Sequence, residues 1–324
     1  MRKIALALAL AVLSAPASAA LTPAEQKMAA TVDAEYERSV ALLEKLVNQN
    51  SGSLNIEGVS KVGEMMRAEL EPLGFQVRWV PMGEVGRAGH IVATHKGNGR
   101  GKRMLLIGHL DTVFEKDSPF QNFVRRGEKA EGPGSGDDKG GMVVMVAALR
   151  AMKAAGTLKD ADIEIVLTGD EEDSGNPHSI SRRDLIEAGK RADAALDFEG
   201  LAVVEGQDWG SIARRSSTSW TLKVTAKSGH SSGIFSANAG EGAIYAASRI
   251  LAAFRDELRE PNLTYNVGLI AGGTEVQLDA GQIRATAAGK TNIIPAITLA
   301  RGDMRTLSDE QTARVQAKMK AIAA

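Results

Sequence analysis

The sequence predicts an α/β fold in which helices cover both faces of a sheet, followed by a smaller α+β domain. Short β-type runs alternate with helical segments until about residue 211, and this alternation is typical of a helix-covered sheet. The hydrophobic pattern changes after that point. A length of 324 residues, 44% of them hydrophobic and few aromatic, suits two domains with separate cores.

Hydrophobic periodicity predicts the elements of the first domain. Residues 22–49 and 59–70 carry apolar side chains at helical spacing, for example Val40, Leu43 and Leu46. Helices are also predicted at 138–155 and 180–188, and strands at 75–80, 90–94, 104–108, 162–167 and 192–198. A ligand site in such a sheet lies beyond the carboxyl ends of its strands.

The second domain reads differently. Residues 220–226 alternate like a half-exposed strand, and a helix is predicted over 237–258. Three β-type runs follow at 264–270, 282–288 and 296–304, and a last helix begins near Ser308, capped by Ser308 or Asp309. The chain therefore divides into a leader at 1–19, a first domain at 20–212 and a second at 213–324.

The first residues have the three parts of a secretory signal peptide. Met1-Arg2-Lys3 precedes the apolar run IALALALAVL, and Ala17-Ser18-Ala19 offers cleavage after Ala19. No later run reaches the roughly 20 apolar residues of a spanning helix, so no membrane anchor is expected after cleavage. The sequence has no cysteine and hence no disulfide. These features predict a periplasmic or secreted protein.

Charge excludes one class of partner. The sequence has 39 basic and 40 acidic residues, a formal charge of −1, and no extended basic block. Nucleic acid binding is therefore not predicted. The expected partner is a small molecule.

Polar residues that suit a metal follow several predicted strands. His109 and Asp111 follow one strand, Glu171 and Glu172 the next, and Glu199 a third, while Asp138 opens the helix between the first two. Read singly, each has an ordinary explanation: a chance histidine at a strand end, an N-capping aspartate or a solvated acidic loop. Together, one imidazole and several carboxylates suit zinc, with cobalt and manganese as alternatives.

The order of these motifs resembles a known family. HLDT, GPGSGDDKGG, Glu171-Glu172 and ADAALDFEG are followed by SGHSSG, TNIIPA and GDMR. This set is similar to the aminoacylase and carboxypeptidase family of co-catalytic di-zinc metallopeptidases, nearest its glutamate carboxypeptidase branch. The resemblance extends from about Leu42 to the last residue.

The resemblance implies roles for the first-domain residues. Two zinc ions would be held by four ligands: His109, Asp138, Glu172 and Glu199. Asp138 would bridge the ions, with His109 and Glu199 on one and Glu172 on the other. Glu171 becomes the general base, a choice between the adjacent glutamates that only the family pattern makes. Asp111 becomes the partner that holds the His109 ring.

The resemblance also makes the second domain a lid that forms a homodimer contact. His230 would donate to the developing oxyanion. Arg305 would bind the substrate carboxylate, a two-point contact that suits guanidinium, with help from Asn292. On its own, His230 reads as a surface histidine and Arg305 as a solvated strand end. His90, His95 and His178 receive no role.

The function these features predict is zinc-dependent hydrolysis of an amide bond that releases a C-terminal amino acid, with glutamate as the candidate, from a peptide or N-acyl amino acid. The alternatives are an N-acyl amino acid deacylase with the same site and a noncatalytic binding protein that keeps the fold. The family's second zinc takes a histidine from a segment after the lid, and no histidine follows His230. We therefore expect residues 20–324 to be a fragment that lacks the C-terminal part of the catalytic domain, binds at most one zinc firmly and does not hydrolyse amides.

Overall fold

A computed structural model describes residues 20–279 and 282–324. The predicted signal peptide, residues 1–19, lies outside the described residues. The chain divides into two compact units, one extending to Trp209 and the other running from Gly210 to Ala324. Across the described part of the chain, no helix combines the length and hydrophobicity needed to cross a membrane.

The first unit holds helices and strands in alternation. Its helices are α1 (Pro23–Ala34), α2 (Tyr36–Val47), α3 (Ile56–Leu70), α4 (Lys139–Ala154), α5 (His178–Ser181) and α6 (Arg183–Arg191). Its strands are β1 (Gln76–Pro81), β2 (Gly89–His95), β3 (Arg103–His109), β4 (Val124–Arg126), β5 (Lys129–Glu131), β6 (Asp162–Thr168), β7 (Ala194–Asp197), β8 (Ala202–Val204) and β9 (Gln207–Trp209).

Five of these strands form one mixed sheet in the order β1-β2-β6-β3-β7. Strand β2 is antiparallel to both β1 and β6. Strand β3 runs parallel to its neighbours β6 and β7. The carboxyl ends of β6, β3 and β7 therefore lie side by side at one edge of the sheet, which is where this topology places a ligand site.

Alternate residues of the strands face two separate cores. Helices α2, α3 and α4 cover one face, where their apolar side chains pack against Ile91, Leu106 and Ile165. Helix α6 contributes Ala188 to the other face, against Val92, Leu105 and Val166. Burial on both faces explains why these strands read as nearly continuous apolar runs. The α/β fold class predicted from the sequence is confirmed.

The second unit is an α+β structure. Its strands are β10 (Thr218–Thr225), β11 (Gly229–His230), β12 (Thr264–Tyr265), β13 (Leu269–Gly273), β14 (Glu275–Leu278), β15 (Ala285–Ala288), β16 (Ile293–Ile294) and β17 (Ile297–Arg305), and its helices are α7 (Gly242–Glu257) and α8 (Asp309–Ala323). Strands β10, β12 and β13 each pair antiparallel with β17. Phe254, Met304 and Val315 form the centre of its core. Ser308 caps α8 by accepting the N–H of Gln311, as predicted.

Some predicted elements differ from the observed ones. The helix expected over 22–49 is interrupted at Glu35, and α1 buries none of its side chains. The strand expected over 264–270 is two strands, because the chain leaves β17 between Tyr265 and Leu269. The helix expected from residue 237 begins only at Gly242.

Candidate metal centre

The predicted ligands of the first unit lie at the edge formed by the ends of β6, β3 and β7. His109 is the last residue of β3, and Glu171 and Glu172 follow β6. Beyond β7, Phe198 donates its backbone N–H to the carbonyl of Ile107 at 3.1 Å, which extends the pairing with β3 and places Glu199 beside the same edge.

In the part of the chain that the structure describes, two groups of side chains each bring three potential ligand atoms within 4.8 Å of one another, and both groups include His109. One group adds Asp137 and Glu172, and the other adds Glu171 and Glu199. One imidazole and four carboxylates therefore lie close together at this edge of the sheet. Oxygen and nitrogen donors in this combination suit zinc, cobalt or manganese.

The His109 ring is held on both sides. Its Nδ1 atom lies 3.1 Å from the Asp111 carbonyl oxygen and 3.3 Å from Asp111 Oδ1, and its Nε2 atom lies 2.8 Å from Asp137 Oδ1. Burial disfavours the protonated ring, but the hydrogen bond and charge of Asp111, with the charge of Asp138, outweigh it and raise the pKa of His109 to about 10. A cation that replaced this proton would meet the same negative surroundings.

Asp111 joins the ring to the acidic residues. Its carboxylate is fully buried and accepts three hydrogen bonds. The donors are the Ser53 hydroxyl at 2.6 Å and the backbone N–H groups of Glu171 and Glu172 at 3.0 and 3.1 Å. Burial would raise its pKa, but the hydrogen bonds from His109 and Ser53 hold the pKa of Asp111 below its usual value. The predicted role of Asp111 as the partner of the His109 ring is consistent with these contacts.

The Asp138 side chain contacts the backbone of β3. Asp138 is the N-cap residue of α4, yet its side chain makes no capping bond and its Oδ2 accepts the backbone N–H of His109 at 2.9 Å. The carboxylate is fully buried, and a Cβ built on Gly108 or Gly141 would lie within 2.5 Å of one of its oxygens. Among the described residues, neither group of potential ligands contains Asp138. Asp137, by contrast, belongs to one of the two groups.

The crowding of carboxylates raises their proton affinity. Partial desolvation, followed by the charges of Asp137 and Glu171, raises the pKa of Glu172 to about 7. Desolvation and the charge of Glu199 raise the pKa of Glu171 as well. Burial raises the pKa of Asp138 to about 7. Like charges at this density are stabilised by a bound cation, so the donor set fits a metal centre.

The predicted substrate-binding residues belong to the second unit. His230 in β11 pairs with Ile293 in β16. Ser231, which follows His230, donates its backbone N–H to the Asn292 carbonyl at 2.9 Å. His230 Nδ1 accepts the backbone N–H of Ser232 at 3.2 Å, so its neutral ring carries the proton on Nε2. Arg305 ends β17, is half exposed, and donates from Nε to Asp303 Oδ2 at 3.2 Å.

Sequence reasoning missed other residues around the centre. Ser53 and His90 are buried, although neither was given a role. His178, which also received no role, begins α5. Ser53 precedes an asparagine-capped helix and gives no motif of its own, so only the fold shows that it contacts Asp111.

The sequence profile of Peptidase family M20/M25/M40 matches residues 105–290. Carboxypeptidase G2 from Pseudomonas sp. (strain RS-16) is 31% identical over 277 residues, which cover 84% of this chain and 60% of that protein. A succinyl-diaminopimelate desuccinylase from Novosphingobium aromaticivorans is 32% identical over 199 residues, 59% of this chain and 51% of that protein. The chain thus spans about half to three fifths of the length of these relatives.

Solved structures share the fold. Aminopeptidase PepT from Bacillus cereus superposes with a TM-score of 0.67 at 21% identity, covering 89% of this chain and 71% of that one. The YXEP protein of Bacillus subtilis, described as a dinuclear metal-binding peptidase, gives 0.57 at 16% identity, covering 90% of this chain and 70% of that one. The family profile spans more than half of the chain, and the candidate ligands His109, Glu171, Glu172 and Glu199 lie at or just beyond the carboxyl ends of β3, β6 and β7. The chain belongs to Peptidase family M20/M25/M40.

Proposed function

We propose that this protein is a metal-dependent amide hydrolase that releases a C-terminal amino acid, with glutamate as the first candidate, from a peptide or N-acyl amino acid. The observation that carries the proposal is the convergence of His109, Asp137, Glu171, Glu172 and Glu199 at one sheet edge. Membership of a peptidase family and the similarity to carboxypeptidase G2 support it.

The proposed ligand set differs from the sequence prediction at one position. His109 and Glu199 would hold one zinc ion and Glu172 the other, with Asp137 in place of Asp138 as the carboxylate that both share. Asp137 supports this role because it lies 2.8 Å from the His109 ring and belongs to the same donor group as Glu172. When bound, zinc would supply Lewis acidity at this edge.

Glu171 is proposed as the general base. Its backbone is fixed by Asp111, and its raised pKa brings it nearer to the working pH at which a carboxylate exchanges protons efficiently. Glu171 would take a proton from the attacking water and pass it to the leaving amine. The choice between Glu171 and Glu172 rests on the family pattern rather than on their positions.

The second unit is proposed to bind the substrate. Arg305 would pair with the free carboxylate of the C-terminal residue, since its guanidinium presents two parallel donors. Asn292 would assist. His230 would donate from Nε2 to the developing oxyanion, a role that its hydrogen bond at Nδ1 supports.

A second candidate is an N-acyl amino acid deacylase that uses the same centre and the same arginine. The similarity to a succinyl-diaminopimelate desuccinylase favours this alternative, because that name describes removal of an acyl group from an amino acid. The proposal also includes export to the periplasm or medium, directed by residues 1–19. It further includes a homodimer formed through the second unit.

The test uses the natural protein. Metal content and hydrolysis would be measured together on peptides ending in glutamate and on a panel of N-acylglutamates and other N-acyl amino acids. Zinc-dependent release of a C-terminal amino acid, abolished by a chelator, is the expected result. Preference for succinylated or acetylated amino acids would favour the deacylase. Bound zinc without hydrolysis of any substrate would overturn both and favour a binding protein.

A further inference from the structure

We infer that Arg182 is a positioning residue that holds the acidic loop, defined as residues 169–181, in the shape that presents Glu171 and Glu172. The acidic loop connects β6 to α6 and contains only the short helix α5. The inference rests on the proposed function insofar as it assumes that these two glutamates act at a metal centre.

Arg182 contacts the acidic loop at several points. One terminal nitrogen donates to Asp170 Oδ1 at 2.6 Å and to the Ser181 carbonyl at 3.3 Å. The other donates to the Asp170 carbonyl at 2.9 Å and to Ser174 Oγ at 2.5 Å. A planar guanidinium thus binds residues on both sides of the glutamates, which the single ammonium of lysine cannot do.

Asp170 is the buried anchor of this arrangement. It is fully buried, and its second oxygen accepts the Gly175 N–H at 2.8 Å. Glu171 and Glu172 lie between Asp170 and Gly175 in the sequence. The Asp170–Gly175 hydrogen bond therefore forms a turn that contains both glutamates. Because the carboxylate is desolvated, its ion pair with Arg182 fixes the local backbone more firmly than an exposed pair would.

His90 fixes the two ends of the acidic loop. Its Nδ1 accepts the Gly169 N–H at 3.1 Å, which leaves the proton on Nε2 to donate to the Ser181 carbonyl at 2.8 Å. The Ser181 hydroxyl in turn donates to the Gly175 carbonyl at 2.7 Å. His90 and Ser181 thus connect the start, the middle and the end of the acidic loop, and Arg182 supplies the positive charge.

This arrangement serves the glutamates because their side chains repel each other. Adjacent carboxylates repel each other, so without support the loop would relax to separate Glu171 from Glu172. Asp111 holds their backbone N–H groups from one side, and Arg182 holds the flanking residues from the other. Groups that orient metal ligands typically change metal affinity about 10- to 100-fold when removed.

The experiment compares Arg182→Gln with Arg183→Gln in the natural protein. Arg183 is the matched control, because it is the adjacent arginine, is 55% exposed and forms an ion pair with Asp184, outside the acidic loop, at 3.6 Å. Amide hydrogen exchange would be measured across residues 169–181 without metal, and zinc affinity by competition with a chelator. For Arg182→Gln we expect at least tenfold faster exchange of the loop amides and about 10- to 100-fold weaker zinc binding. Arg183→Gln should match the wild type in both measurements.

Two further variants keep the inference open to refutation. Arg182→Lys should give exchange rates and zinc affinity between those of the wild type and Arg182→Gln, because lysine keeps the positive charge but lacks the two donating nitrogens of the guanidinium. If Arg182→Gln fails to fold, Asp170→Asn with Arg182→Gln leaves no unpaired buried charge and is expected to show the same loss of loop protection. Unchanged exchange in the folded variant would overturn the inference. Wild-type protein that binds no zinc would instead refute the proposed function, while the exchange data would still decide the role of Arg182.

Discussion

Oδ2 of Asp138 lies 2.9 Å from the backbone nitrogen of His109 and so contacts the strand rather than the imidazole. The ring nitrogen Nε2 has a different neighbour, Asp137 Oδ1, at 2.8 Å. Two aspartates that are adjacent in sequence therefore act on opposite parts of one histidine. One supports the end of β3, and the other is available to a metal.

The two aspartates should respond differently to the same substitution. Asp137→Asn is expected to weaken zinc binding at least tenfold, because an amide is a poorer zinc ligand than a carboxylate. Asp138→Asn should retain zinc, because the amide oxygen can still accept the His109 N–H. Metal stoichiometry after dialysis against a weak chelator measures both. Loss of zinc from Asp138→Asn alone would restore the original assignment.

Glu171→Gln should separate metal binding from turnover. A glutamine keeps the backbone contact with Asp111 but cannot carry a proton from water to the leaving amine. We expect turnover to fall by about 10²- to 10⁴-fold, the usual contribution of a general base, with zinc content unchanged. Loss of zinc together with activity would identify Glu171 as a ligand instead.

Metal binding should release protons in a pH-dependent number. In the metal-free protein the pKa of Glu172 is about 7 and that of His109 about 10, both raised, so below pH 7 both groups are protonated. Zinc requires both to be deprotonated. Binding should therefore release about two protons at pH 6 and about one at pH 8, and affinity should rise with pH throughout.

Calorimetry in buffers of different ionisation enthalpy measures this number directly. Glu172→Gln provides the control, since Glu172 is the proposed ligand whose pKa lies near neutrality, whereas Asp138, whose pKa is also about 7, is not a proposed ligand. Proton release by this variant should stay near one at both pH values. A constant release in the wild type across pH 7 would show that Glu172 is not a ligand.

Arg305 should discriminate between free acids and amides. Arg305→Lys is expected to lower kcat/KM for substrates with a free α-carboxylate by about tenfold or more, because lysine cannot form the two-point hydrogen bond. The corresponding amides, which lack the charge, should lose far less. Arg301→Lys is the control, because Arg301 lies on the same strand as Arg305 and donates a hydrogen bond to the Gln282 carbonyl. Equal losses on acids and amides would refute the assignment.

The central sheet was predictable from the sequence because its inner strands β2, β3 and β6 are mostly apolar and buried. The strands predicted at 104–108, 162–167 and 192–198 correspond to β3, β6 and β7 within a residue or two. Small hairpins such as β4 with β5, and β8 with β9, were not predicted. Their residues are mostly exposed and show no hydrophobic period, so only backbone pairing defines them.

The sequence predicted which segments contribute to the site, but not which side chains face the His109 ring. Spacing places Asp137 and Asp138 together at a helix start, and no local rule says which carboxylate turns toward the ring. His90 illustrates a second limit. Its partners Gly169 and Ser181 lie 79 and 91 residues further along the chain, so no motif connects them. Contacts of this kind depend on which strands become neighbours in the sheet.

The contacts of Asp111 have a consequence for the choice of metal. Asp111 accepts hydrogen bonds from the Ser53 hydroxyl and from the backbone N–H groups of Glu171 and Glu172, so contacts within the chain help to fix the layout of this edge. We therefore expect one divalent ion to replace another without refolding. Which ion the protein carries is decided by the preferences of its nitrogen and oxygen donors and by the metals its compartment supplies.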